Sequence, residues 1–124
     1  MIQETTNFFL FLGRFHHLVN HFPIALILLT FVIETASRIE LFRKLKSAIT
    51  PLLLLATISA AFASLLGYIL YQAGDYEGDI VILHMWLGIS VSIMAFLTYL
   101  TRVIKFSIKD KIKNIIYLTL LTVT

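Results

Sequence analysis

Four histidines, His16, His17, His21 and His84, carry the most suggestive chemistry in this chain. Imidazole can act as a base, a hydrogen-bonding group or a metal ligand. Haem iron accepts an imidazole on each axial face, and helical bundles hold such groups between side chains of facing helices. His17 and His21 are four residues apart and share a face if their segment is helical. His16 and His21 would diverge by about 140° on a regular helix, so a kink at Pro23 or a non-helical lead-in is needed to bring both inward. His21 and His84 are the expected axial pair for a b-type haem, with His16 as the alternate or a second-site residue. Gly88, one turn after His84, and Gly67 on a facing segment would leave room for a macrocycle. Trp86, Phe15 and Phe22 would line it, and Arg14 would pair with a propionate or a lipid phosphate. The competing expectation is that the histidines sit at a membrane boundary and hydrogen-bond between helices. A copper or zinc site is a third.

What must position these residues is a membrane bundle. Of the 124 residues 59% are apolar and 14% charged, against about 45–50% and about 25% in ordinary soluble domains. A helical crossing of a ~30 Å hydrocarbon core takes ~20 mostly apolar residues. Three segments qualify, at about 18–36, 48–71 and 80–101, and a fourth apolar run over 115–124 is long enough for only part of a crossing, as expected of a truncated span. Residues 1–17 are expected to form a periplasmic or interfacial lead-in. The sequence therefore predicts an all-α, up-down integral membrane bundle of three full spans and a partial fourth.

Charge sets the expected orientation. Nine of the ten basic residues fall in two connectors, Arg38, Arg43, Lys44 and Lys46 in one and Arg102, Lys105, Lys109, Lys111 and Lys113 in the other. The connector between spans two and three holds Asp75, Glu77 and Asp79 and no cation. Basic connectors stay cytoplasmic, so the amino terminus and all four histidines are expected on the periplasmic side of a bacterial inner membrane. The same distribution argues against nucleic acid as the reason for the net charge of +3. With no cysteine, disulfides, iron–sulfur clusters and covalent CxxCH haem attachment are excluded within this stretch. HExxH, GxSxG and glycine-rich phosphate loops are also absent, so nothing points to hydrolysis.

In span two, Ala56, Ala60 and Ser64 recur every four residues, as do Ala63 and Gly67; such spacing lets helices approach closely in lipid. Pro51 belongs in a first helical turn, where its missing N–H is harmless, and Pro23 similarly follows Asn20 or His21 as cap. Glu34, four residues before Arg38, is expected to pair with it along the helix.

The stretch GRFHHLVNHFPIAL, read with GYILYQAGDYEGDIVILHMWLGI, resembles the membrane modules catalogued as domain-of-unknown-function 2231. The resemblance is to the version joined to planctomycete-type cytochrome c domains. In that family an opening G-R-x-H-P-x-x-x-H-F-P leads into span one, and an H-x-W-x-G motif opens span three. The matching positions here are Gly13, Arg14, His16, His21, Phe22 and Pro23, then Gly67, Gly74, His84, Trp86 and Gly88. His17 stands where the family usually has proline. The resemblance implies a respiratory setting and a c-type cytochrome domain or subunit as partner.

The expectation that follows is a membrane electron-transfer module, an electron carrier rather than an autonomous enzyme. It would bind b-type haem or engage quinol at its periplasmic side and work within a multi-subunit complex or oligomer. The alternative is a non-catalytic membrane anchor or assembly subunit of a respiratory-type complex, with structural histidines.

Overall fold

The computed structural model describes residues 2–73, 78–104 and 110–124. Gly74, the acidic residues Asp75 and Glu77, and Lys105 and Lys109 lie outside them. The elements are α1 (Ile2–Val19), α2 (His21–Ala36), a 3₁₀ helix (Glu40–Ala48), α3 (Ile49–Gln72), α4 (Asp79–Val103) and α5 (Asp110–Val123). The fold is an all-α bundle.

The lead-in is helical. α1 and α2 are separated only at Asn20, whose backbone remains helical and still donates to the His16 carbonyl at 2.9 Å. Pro23 explains the interruption. It has no N–H to offer the carbonyl four residues back, and its ring crowds that carbonyl. The first apolar helical stretch consequently runs over Asn7–Ala36, 30 residues, rather than starting near residue 18. Together with Glu40–Gln72 and Asp79–Val103 it makes three helices long and apolar enough to cross a membrane. Their outward faces expose large apolar side chains such as Leu28, Ile58, Leu65 and Ile93. In water so much apolar surface would drive aggregation; in lipid it is the solvated face. The chain is a multi-pass membrane protein.

α3 is the central helix. It buries Leu53, Ala56, Ala60, Ala63, Leu66 and Leu70, a stripe at helical spacing, and packs against α1, α2 and α4. Its small residues work as expected, by letting neighbours come close. The α1–α3 crossing is close at two glycines. A Cβ on Gly13 would lie 2.8 Å from the Leu70 Cβ, and one on Gly67 would lie 2.9 Å from the His16 ring. The pairs Gly13–Leu70 and His16–Gly67 follow an antiparallel register.

α5 closes the other end of the bundle. Its Tyr117 and Leu121 pack on Ile49 and Leu53 at the start of α3. With 14 residues it rises about 21 Å, less than a full ~30 Å crossing. Here the expected Glu34–Arg38 pair is replaced. Glu34 is 6% exposed, accepts a hydrogen bond from the Tyr117 hydroxyl at 3.0 Å and lies 3.6 Å from the Arg102 guanidinium. Arg102 in turn sits 4.8 Å over the Tyr117 ring, a cation–π contact. The reason is geometric: Glu34 faces into the bundle, where α4 and α5 bring their own partners, whereas Arg38 lies beyond the end of α2 on an exposed connector.

Candidate functional site

At the end of the bundle opposite Tyr117, α1–α2 and α4 stand apart on either side of α3, leaving a cavity of about 650 Å³. His16, His17, His21 and His84 all line it. Most of the rest of the wall is apolar, with Ile24, Leu70, Val81, Leu87 and Val91. Such an apolar chamber with few convergent polar groups is the usual form of a cofactor or ligand site.

His16 is held by the backbone of α3. Its Nδ1 lies 2.7 Å from the carbonyl oxygen of Ala63. A carbonyl only accepts, so Nδ1 carries the proton and, in the neutral ring, Nε2 keeps its lone pair. Histidines that ligate metals are commonly oriented in this way, the second nitrogen donating to a backbone carbonyl. Gly67 gives this ring its place. The ring lies where a side chain on α3 would otherwise be, so Gly67 makes room for His16 itself.

His84 lies near the start of α4, and its ring centroid is 6.0 Å from that of His16, with the two planes at 82°. The His17 ring lies 5.8 Å from that of His16. His21, the expected partner of His84, lines the same cavity, but the ring brought against His84 is that of His16. Gly88 also lines the cavity, one turn from His84. Its carbonyl accepts from Ser64 at 3.1 Å, and Ser64 and Ser92 hydroxyls meet at 2.8 Å, tying α3 to α4 beneath the histidines.

Arg14 and Trp86 are exposed and do not line the cavity. Trp86 stands two residues from His84, about 200° around the helix, which turns it to the face opposite that ring. Among the described residues no group of three His, Cys, Asp or Glu side chains could hold a metal ion. The copper or zinc reading therefore has no ligand cluster behind it.

No family model, curated protein or solved structure matches this chain. The site must be interpreted from its own geometry.

Two features escaped the sequence: the Ala63 carbonyl, which is invisible as a side chain, and the Ser64–Gly88–Ser92 link, of which only Ser64 was expected to pack and Gly88 was expected to make room for a macrocycle.

The clearance at Gly67 gives a direct expectation. Gly67→Ala should push the His16 ring from the Ala63 carbonyl, whereas Gly88→Ala should be tolerated, since its Cβ would meet only Ser64 Oγ at 3.7 Å. Thermal melts of both variants in detergent check this. Overpacking of this kind costs about 1–3 kcal/mol, and only Gly67→Ala should show it.

Proposed function

We propose that this chain is a membrane electron-transfer module whose His16 and His84 hold a b-type haem at the periplasmic side of a bacterial inner membrane. A c-type cytochrome domain or subunit would take the electrons. The observation that carries this reading is the approach of two imidazoles from different helices inside one cavity. Their ring centroids are 6.0 Å apart, and two imidazoles on different helices are a donor set that would hold haem iron. His16, rather than His21, is the partner of His84 because its Nδ1–H is already committed to Ala63, leaving Nε2 for a ligand.

Haem held in this way would supply a one-electron carrier. The chain itself would fix the His16 ring through Ala63, bring His84 against it, surround both with a largely apolar wall and keep the site near one membrane surface. The basic connectors support the orientation, since cations are retained on the cytoplasmic side. The motif resemblance supports the c-type partner.

One observation favours a second reading, a membrane anchor or assembly subunit. The His16–Ala63 bond already joins α1 to α3, and a 6.0 Å edge-to-face pair is also a normal aromatic contact. Absorption spectra of the purified chain, oxidised and then reduced, separate the two. The haem reading expects a Soret band, split α and β bands on reduction, and iron in the preparation. A colourless, iron-free protein would leave only the anchor.

A further inference from the structure

The segment between α2 and α3 is not needed for the crossing. The helical stretch Glu40–Gln72 has 33 residues, but the 24 residues of α3 alone rise about 36 Å, enough for a ~30 Å core. The 3₁₀ helix Glu40–Ala48 is therefore surplus and belongs at the membrane boundary. In a 3₁₀ helix, residues three apart lie one above the other. The sequence ELFRKLKSA then sorts into ridges: Phe42 with Leu45, Arg43 with Lys46, and Leu41 with Lys44. An apolar ridge stands between two that carry cations.

All these side chains are exposed, Leu41 by 80% and Phe42 and Leu45 by 42% each. Arg43 is paired with Glu40. Arg38, Lys44 and Lys46 have no carboxylate within ion-pair distance among the described residues. At the same end Lys113 is bound to the Ile104 carbonyl.

We propose that Arg38, Lys44 and Lys46, with the Phe42–Leu45 ridge, form a docking surface for the headgroups of anionic phospholipids. Clusters of cations beside a span attract an anionic leaflet, and an apolar ridge flanked by cations settles at the headgroup–acyl boundary. Phosphate oxygens accept from Lys44, Lys46 and Arg38, while Phe42 and Leu45 enter the acyl boundary. The surface is separate from the histidine cavity and stands or falls without it.

The test uses the full chain in phosphatidylcholine bilayers, with spin-labelled phosphatidylglycerol and spin-labelled phosphatidylcholine as probes. The expected result is a preference of roughly tenfold for phosphatidylglycerol at low salt. It should fall severalfold in Arg38→Gln/Lys44→Gln/Lys46→Gln and largely survive in Lys111→Gln. Equal association of both lipids with the native chain overturns the proposal, as does an undiminished preference in the triple variant with native helix content. If the triple variant fails to fold, salt decides on the native chain. Screening shortens from about 30 Å at 0.01 M to about 3 Å at 1 M, so the preference must collapse; a salt-independent preference overturns the proposal.

Discussion

His84→Ala is expected to abolish the Soret band of the purified protein while leaving its helix content nearly unchanged. His84 is exposed to the cavity and makes no hydrogen bond among the described residues; its one ring contact is with His16. Its removal should therefore cost ligation and little else. His16→Ala should lose the band as well, but it also removes the bond to Ala63, with a further cost of about 1 kcal/mol. His84→Met offers a readout that a purely structural histidine would not move. It should keep a coloured protein and raise the reduction potential, because Met/His ligation favours ferrous haem. Trp86→Ala, on the other face of α4, should leave the spectrum intact. Redox titration monitored in the visible range checks all four variants. Unchanged spectra in His84→Ala would refute the assignment.

The largest loss of stability is expected at the other end of the bundle. Glu34→Ala removes a carboxylate that is 6% exposed and leaves the Tyr117 hydroxyl and the Arg102 guanidinium without their common acceptor. Deleting one partner of a buried ion pair strands the other charge, at a cost of about 3–5 kcal/mol. Arg102 keeps some access to solvent, its side chain being 18% exposed, so about 3 kcal/mol is the better figure. Tyr117→Phe keeps the ring beneath Arg102 and should cost only about 1 kcal/mol. Reversible unfolding in mixed micelles measures both. If Glu34→Ala cost no more than Tyr117→Phe, the cluster would not be what fastens α5 between α2 and α4. One carboxylate thus ties α2 to α4 and α5.

The same contrast explains what could be read from the sequence. The bundle was legible because three apolar runs of crossing length are a one-dimensional signal, and Ala56, Ala60, Ala63 and Gly67 announced the face of α3 that packs. The clustering of four histidines at one end followed from helix direction alone. Which histidine meets His84 did not, since that depends on how α1 continues through the Asn20 break and on where it crosses α3. A regular helix would have turned His16 away from His21, whereas both line one cavity. Arg14 was expected as a cation for a propionate or lipid phosphate and Trp86 as a ring lining the macrocycle, but neither lines the cavity. Glu34 was matched to Arg38 by i,i+4 spacing, but its partners came from α4 and α5. Local spacing cannot register such long-range pairings, and burial in a bundle rewards them.

The chain contains no cysteine, which makes the spatial relation of His16 and His84 directly measurable. In native membranes, a His16→Cys/His84→Cys pair should be joined in high yield by a short bifunctional methanethiosulfonate, read as protection of both thiols from later labelling. A His16→Cys/Trp86→Cys pair should resist joining, because Trp86 points away from the cavity. Failure of the first pair to join, or equal yields for the two, would contradict convergence of the imidazoles and remove the basis for a shared ligand between them.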